Sequence, residues 1–290
     1  MGDVLAGFHA AWEFESDSVL IRYERGIRTP RLFQALGERR VPLTALQGVT
    51  LTPGRRGTVV LRAEPRPGAD PLMEAADGQL KESSDPYRLV LPAERETLAA
   101  YYADELRALL TESGPADRHL VAAPEVPMSF KAYDAKASFD GTTVVFRWFW
   151  TGASSAKWKA GDQRFRVADL AGVEWRSPEV FEGHLRLLRR AGADQPSPPA
   201  QADQVAQADQ DPAAVVFGLG YGPVHESLPF AAAVLDAVRA AGPAVPVAAV
   251  ARRDPADVAD RIRHLGELHQ AGLVTDEEFS VKKAELLAEL

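Results

Sequence analysis

The segments VPLTALQGVTL (residues 41–51) and FRVADLAGVEW (residues 165–175) decide how this sequence is organised, because they are two versions of one pattern. They are separated by a fixed offset, since 165 − 41 = 124. At that offset three identical pairs follow, namely Leu46 with Leu170, Gly48 with Gly172 and Val49 with Val173. PGAD from Pro67 and AGAD from Ala191 match at the same offset. A constant offset of this kind indicates an internal repeat. We therefore predict two copies of one domain, residues 5–112 and 127–241.

Each predicted copy begins with strands and ends with one helix. SVLIRYERG (18–26) and TTVVFRWFW (142–150) are rich in β-branched and aromatic residues and follow turn-forming residues. Apolar runs follow one another at short spacing, which favours an antiparallel sheet. Helical spacing then appears in two sets, one of Ala99, Ala103, Leu106 and Leu110 and one of Phe230, Val234 and Val238. The expected fold class is α+β and mainly β.

A polar stretch lies at the same place in each copy, at residues 64–86 and 191–212. The equal placement predicts a loop insertion inside each domain. The second stretch is of low complexity, has almost no large apolar residue and repeats Ala-Asp-Gln. It is predicted to be disordered, because it cannot bury enough surface to offset the entropy of ordering.

The end of the chain differs in character from both copies. Residues 242–254 are mostly Ala, Pro and Val without amphipathic period, so they are predicted to form a linker. Residues 255–290 are predicted to form a helical hairpin. Asp254 before Pro255 suits a helix start, Gly272 suits a helix end, and Thr275 with Glu278 matches a capping box. A unit below about 40 residues is rarely stable alone, so its apolar face should be buried against something else.

Composition excludes several classes of function. The 290 residues carry a net charge of −8 and give a pI near 5.4, which argues against bulk nucleic-acid binding. The absence of cysteine removes disulfides, thiolate zinc sites and cysteine nucleophiles, and it fits a cytoplasmic protein. No apolar run approaches a membrane span, and the N-terminus does not resemble a signal peptide.

No segment carries a recognisable catalytic pattern, so the sequence predicts no catalytic residue, cofactor or metal site. GLGYG (Gly218–Gly222) lies between a predicted strand and helix, but its spacing is not that of a dinucleotide-binding turn. His264 and His269 are five residues apart, which does not place them together as metal ligands on a helix. An enzyme acting on a small phosphorylated substrate at Gly218–Gly222 remains a remote alternative.

Two basic segments stand out in this acidic protein, residues 22–40 and 147–166, each with a net charge of +4. They occupy equivalent places, which we predict to be the first hairpin of each copy. Candidate residues for an anionic ligand or membrane surface are Arg22, Arg25, Arg28, Arg31, Lys157, Trp158 and Lys159. Interleaved Trp and basic residues suit a membrane interface or a protein contact, and a solvated hairpin with inward aromatics is the alternative.

Strands followed by one helix suggest a pleckstrin-homology-like (PH-like) plan. SVLIRY, VPLTALQGV, PGADP and DPYRLVL resemble the tandem PH-like repeats of a bacterial domain-of-unknown-function family found mainly in actinobacteria. The second copy departs from this pattern, with AGADQ for PGADP and PAAVVFG for DPYRLVL. The resemblance implies an architecture but no activity.

The tail is similar to the short C-terminal domain called SHOCT. The matching residues are Ile262, Leu265, Leu268, Gly272, Leu273, Thr275, Glu277, Glu278, Phe279, Lys282, Lys283, Leu286 and Leu287. This resemblance implies an interaction or oligomerisation role. The candidate contact residues are Ile262, Leu265, Leu268, Leu273, Phe279, Leu286 and Leu287.

The leading hypothesis is a non-enzymatic cytoplasmic scaffold whose tail binds a protein partner or another copy. The alternative is peripheral binding to anionic lipid through the basic segments.

Overall fold

The computed structural model describes residues 3–190 and 208–242. Most of the insertion predicted to be disordered, residues 191–207, lies outside this range. The predicted linker beyond Gly242 and the predicted hairpin at 255–290 also lie outside it. None of the helices in the described part is long and apolar enough to cross a membrane.

Repeat 1 alternates two antiparallel sheets with short helices and ends in a longer helix. Its elements are β1 (Asp3–Ala6), β2 (Ala10–Phe14), β3 (Ser18–Tyr23), α1 (Arg31–Leu36), β4 (Glu38–Pro42), β5 (Leu46–Pro53), β6 (Thr58–Pro65), α2 (Pro71–Ala76), β7 (Arg88–Pro92) and α3 (Glu96–Leu109). The first sheet has the order β1-β2-β3-β4 and the second β5-β6-β7.

Repeat 2 has the same order of elements where it is described, except for an equivalent of α2. Its elements are β8 (Met128–Lys131), β9 (Ala135–Phe139), β10 (Thr143–Trp148), α4 (Ser155–Ala160), β11 (Gln163–Arg166), β12 (Leu170–Arg176), β13 (His184–Arg189), β14 (Ala214–Val216) and α5 (Val224–Ala240). The sheets have the orders β11-β10-β9-β8 and β12-β13-β14. The protein is therefore mainly β, with four antiparallel sheets, none of them closed in the described residues.

The 124-residue offset holds in detail. In repeat 1 the pairing of β5 with β6 shifts register between Leu46 and Gly48. In repeat 2 the pairing of β12 with β13 shifts between Leu170 and Gly172. The residues that match at this offset therefore include a β-bulge at the start of the second sheet of each repeat.

Both terminal helices form where the apolar spacing predicts them. Ala99, Ala103 and Leu106 are the buried face of α3. The helix α5 is buried far more widely, from Ser227 to Val234 and again at Val238. This difference arises because α5 is covered by its own sheets on one side and by repeat 1 on the other.

The polar stretch 64–86 is an ordered part of the core, which corrects its interpretation as a polar loop. Asp70 caps α2 by accepting a hydrogen bond from the Leu72 amide at 2.9 Å, and Pro71 stands at the first helical position. Leu72 and Ala76 of α2 are fully buried in the hydrophobic cluster of repeat 2. A helix inserted in one repeat therefore completes the core of the other.

Hydrogen bonds strengthen this junction. Gln79, just after α2, donates from Nε2 to the Trp175 carbonyl at 2.8 Å and accepts at Oε1 from the Ser177 amide at 2.9 Å. The described residues of both repeats belong to one compact unit. The predicted copies are consequently two halves of one body.

Candidate functional site

A cleft of about 360 Å³ opens where the two repeats meet. Repeat 1 contributes the start of α1, and repeat 2 contributes the loop before α5 and the first turn of that helix. The lining includes Pro30, Arg31, Leu80, Ser84, Pro178, Glu179, Leu219, Tyr221, Val224 and His225. We call this the α1–α5 cleft. Its lining is mixed, with apolar side chains beside the ionisable groups Arg31, Glu179 and His225.

The conformation and packing of the loop Gly218–Gly222 explain why glycine occupies these positions. The loop closes a turn in which the Tyr221 amide donates to the Gly218 carbonyl at 2.9 Å. Gly222 has φ +60°, and a Cβ there would lie 2.2 Å from the Phe217 ring. A Cβ on Gly218 would approach the Tyr133 ring to 3.0 Å. Backbone conformation and close packing account for these glycines without a phosphate ligand.

The sequence predicted that the basic segments form the first hairpin of each repeat, and this prediction is wrong. Each segment begins at the end of the third strand, β3 or β10, and continues through a short helix, α1 or α4, into the fourth strand, β4 or β11. Two strands precede these segments in each repeat, β1 and β2 in repeat 1 and β8 and β9 in repeat 2. The short helices α1 and α4 were not anticipated from the sequence. The start of α1, at Arg31, places part of the repeat 1 segment in the wall of the α1–α5 cleft.

The four candidate arginines of repeat 1 are all exposed. Arg22 is ion-paired with Glu13 and lies 3.6 Å from Glu38, so β-strand neighbours already neutralise it. Arg25, Arg28 and Arg31 make no ion pair with any described residue. These three side chains therefore carry the accessible positive charge of this segment.

Arg39, in the same segment, is buried rather than accessible. Its guanidinium holds Asp70 with two hydrogen bonds of 2.9 and 2.7 Å, and the Tyr87 hydroxyl donates to the same carboxylate at 2.8 Å. Burial lowers the pKa of Arg39, but Asp70, Tyr87 and Tyr23 together raise it above its ordinary value, so the guanidinium stays charged. This network anchors α2 to repeat 1.

Lys157 of repeat 2 was predicted to be a candidate residue for an anionic ligand or membrane surface, and its burial makes this prediction wrong. Its side chain is fully buried, and Nζ donates to Asp134 Oδ2 at 2.6 Å beneath the Trp148 ring. Burial lowers the pKa of Lys157, and burial likewise raises the pKa of Asp134. Because the ammonium is enclosed and paired, it offers no charge to a membrane or ligand.

The other two candidates of repeat 2 are accessible. Trp158 is 49% exposed and stacks edge-on with Trp150, which is 78% exposed, at 5.2 Å between ring centroids. Lys159 is exposed on the same short helix, α4. Trp150 and Trp158 are therefore exposed, whereas Trp148 of the same segment is buried, so only part of this aromatic set packs inward.

One cluster at the junction was not anticipated from the sequence. His119, in the connection between the repeats, lies with Nε2 3.1 Å from Glu74 of α2 and Nδ1 2.7 Å from Asp236 of α5. Arg239 of α5 donates to Glu74 at 2.8 Å and to the Gly68 and Ala116 carbonyls. Charges from three segments therefore meet where α2 lies on α5.

The pKa values in this cluster reflect the shared charges. Burial alone lowers the pKa of His119, but hydrogen bonds to the Glu74 and Asp236 carboxylates raise it above its ordinary value. The hydrogen bond from His119 in turn lowers the pKa of Glu74. No sequence pattern could reveal this cluster, because its members come from three distant segments.

The candidate contact residues of the tail, from Ile262 to Leu287, lie outside the described residues. Within residues 3–190 and 208–242, no group of three or more His, Asp or Glu side chains is arranged to hold a metal ion.

Two family models match this chain. The profile of the domain-of-unknown-function family DUF4429 matches twice, at residues 12–107 and 137–235. The short C-terminal domain, SHOCT, matches residues 260–287. The search of curated proteins returned no match. Because the two DUF4429 matches cover more than half of the chain, the protein belongs to the DUF4429 family and carries a C-terminal SHOCT domain.

Proposed function

We propose that this protein is a non-enzymatic binding protein, in which both repeats form one rigid platform and the SHOCT domain contacts a protein partner or another copy. The observation that carries the proposal is the insertion of α2 into the core of repeat 2, which joins the repeats into one body. A platform of this kind positions a tethered domain without needing chemistry of its own.

The size of the SHOCT domain supports its role in association. The match covers residues 260–287, and a unit of this length rarely holds an independent core. The apolar residues Ile262, Leu265 and Phe279 should therefore be buried in a contact outside the domain. Leu268, Leu273, Leu286 and Leu287 complete that candidate contact set.

Deletion of residues 255–290 tests the proposal. We expect the remaining chain to keep its unfolding transition, but to change its sedimentation profile or the set of proteins captured in a pull-down. The double variant Leu265→Ser/Phe279→Ser should reproduce the effect, whereas Gln270→Ser in the same segment should not. An unchanged sedimentation profile together with an unchanged set of captured proteins would contradict the proposal.

We also propose the finer assignments of fold and location. The succession of a four-stranded sheet, a three-stranded sheet and a C-terminal helix in each repeat supports a PH-like fold. The absence of cysteine is compatible with the cytoplasmic location that we propose, and the resemblance to a family found mainly in actinobacteria supports a bacterial origin.

Peripheral binding to an anionic membrane is the second candidate, and the exposed Trp150–Trp158 pair beside Lys159 favours it. Indole rings and cations suit the membrane interface. Vesicles with anionic lipid should then bind the protein at low salt, and Trp150→Ser/Trp158→Ser should weaken binding about tenfold. Binding that is absent at low salt would remove this candidate. The remote alternative, an enzyme acting on a small phosphorylated substrate at Gly218–Gly222, gains no support from the geometry of that turn.

A further inference from the structure

We infer that the outer face of the sheet β8–β11 in repeat 2 docks on an anionic lipid bilayer. This inference rests on the membrane-binding candidate of the proposed function, because it names the surface that meets the membrane. Two observations carry it, namely a row of cations without counter-charges among the described residues, and a group of exposed aromatic side chains at the same end of the sheet.

Three cations lie side by side across three neighbouring strands of this sheet. The strand pairing places Lys131 of β8 opposite Lys136 of β9, and Lys136 opposite Arg147 of β10. All three side chains are exposed, and they form ion pairs with none of the residues that the structure describes. We call this set the cation row. Like charges directly opposite each other destabilise a sheet, so the demands of folding do not explain the row.

Repeat 1 shows what the same sheet requires at these positions. The equivalent pairing places Ala6 of β1 opposite Ala11 of β2, and Ala11 opposite Arg22 of β3. Both lysines of the cation row therefore stand where repeat 1 has alanine. The fold forms in repeat 1 with one cation at this level of the sheet, so the two additional cations of repeat 2 serve another purpose.

The counter-charges of repeat 1 are replaced or redirected in repeat 2. Arg22 is ion-paired with Glu13 and lies 3.6 Å from Glu38. The position of Glu13 is taken by Ser138, and that of Glu38 by Asp162. The Asp162 carboxylate accepts a hydrogen bond from a backbone amide of β10 at 3.3 Å and forms no ion pair within the described part of the chain. Positive charge that repeat 1 neutralises is therefore left accessible in repeat 2.

Exposed aromatic side chains lie at the end of the sheet where the cation row lies. Tyr133 is in the turn between β8 and β9, and Trp150 follows the end of β10. The Phe149 amide donates to the Asp134 carbonyl at 2.8 Å, which holds these two segments together. Trp150 contacts the exposed ring of Trp158. Such rings lie at the headgroup level of a bilayer, and anionic lipids attract the cations. A purely acidic peptide would match the charge but leave the rings uncovered.

Co-sedimentation of the full-length protein with vesicles tests the inference. Binding to vesicles of phosphatidylcholine and phosphatidylglycerol should exceed binding to phosphatidylcholine alone, and it should fall as salt is added. Lys131→Ala/Lys136→Ala introduces the residues that repeat 1 uses, so it should keep or raise the unfolding temperature while weakening vesicle binding by about tenfold or more. Ser138→Glu, which supplies the equivalent of Glu13, should also weaken binding.

A matched control removes two cations from repeat 1. Arg25→Ala/Arg28→Ala should leave vesicle binding unchanged. An equal loss for this control would overturn the inference but keep membrane binding as a candidate. Absent binding to the mixed vesicles at low salt, or equal binding to vesicles of phosphatidylcholine alone, would overturn both. Binding to soluble polyglutamate as tight as binding to vesicles would overturn the inference by assigning the cation row to an acidic polypeptide. The deletion of residues 255–290 reports separately on the proposed function.

Discussion

Lys157 in repeat 2 occupies the place that Phe33 occupies in repeat 1, at the same offset of 124 residues (157 − 33 = 124). Phe33 stacks on Tyr23 with 4.7 Å between ring centroids, and the Lys157 ammonium lies 5.2 Å from the Trp148 ring. A buried cation has thus replaced an aromatic side chain at one core position. Asp134 supplies the negative charge that this exchange requires.

The first prediction concerns this buried pair. Lys157→Met should lower the free energy of unfolding by about 3–5 kcal/mol, because it leaves the Asp134 carboxylate buried without its cation. Urea denaturation at neutral pH measures the change. Lys159→Met, on the exposed side of α4, should change stability by less than about 0.5 kcal/mol. Equal stability of Lys157→Met and the unmodified protein would show that the pair is not required for folding.

The second prediction concerns the insertion of α2 into repeat 2. Leu72→Ala should cost about 2–5 kcal/mol, because the side chain is fully buried and its removal leaves a cavity. Amide hydrogen exchange should quicken in α5 and β12 of repeat 2, and both repeats should still unfold in a single transition. Leu98→Ala, at a Leu that is 43% exposed on α3, is the matched control and should cost much less. Faster exchange confined to repeat 1 would contradict the prediction.

The third prediction concerns pH. His119 has both ring nitrogens facing carboxylates, and only the protonated ring can donate from both. Its pKa is raised in the folded state, so its stabilising contribution is fully present below the ordinary value of about 6.5 and is lost as the pH rises through the folded pKa. His119→Gln should therefore cost about 1–2 kcal/mol at pH 5.5 and less at pH 8.5.

A second histidine provides a control of opposite sign. Burial lowers the pKa of His225, Glu226 partly opposes this shift, and Arg31 adds to it, so the pKa lies below its ordinary value. Its contribution is present above the ordinary pKa and is lost as the pH falls through the folded value. The difference between the unmodified protein and His225→Gln should therefore grow with pH, whereas that for His119→Gln should shrink. Parallel trends in urea unfolding across this pH range would refute the assignment of either histidine.

The fourth prediction separates backbone strain from crowding at the turn before α5. Gly222→Ala should destabilise the protein by about 2 kcal/mol or more, because φ is +60° and the new Cβ would meet the Phe217 ring. Gly57→Ala has a similar φ of +71° with nothing within 4 Å, so it should cost only about 1 kcal/mol. Thermal unfolding measures both. A smaller loss for Gly222→Ala than for Gly57→Ala would mean that Phe217 moves aside freely.

The repeat, the antiparallel sheets and the two terminal helices could be predicted from the sequence because each has a local signal. The bulge at Leu46 and Gly48 recurs at Leu170 and Gly172, and α3 has clear helical spacing. The short helices gave no such signal. The six residues of α1 are too few to establish a helical period, although its alignment with α4 was available.

The burial of Lys157 could have been predicted from the repeat offset. Counting charges along residues 147–166 treats every cation as solvated, whereas alignment places Lys157 opposite the core residue Phe33. The role of α2 was harder to foresee. Its apolar face is built from Leu72, Ala75 and Ala76, and such a small face is recognisable only once α5 is present to cover it.

The contact between α2 and α5 joins unlike surfaces of two homologous halves, which makes it a head-to-tail contact. Repeated contacts of this kind give closed rings when the rotation closes and open arrays when it does not. The equivalent helix of repeat 1, α3, presents Asp104 and Glu105 to solvent at positions where α5 is mostly enclosed. These charges make α3 a poor acceptor for another α2, as the polar outer face of a capping repeat does in a solenoid. Within the described residues, the terminal helix of repeat 1 therefore keeps a charged outer face, whereas the terminal helix of repeat 2 is covered by α2.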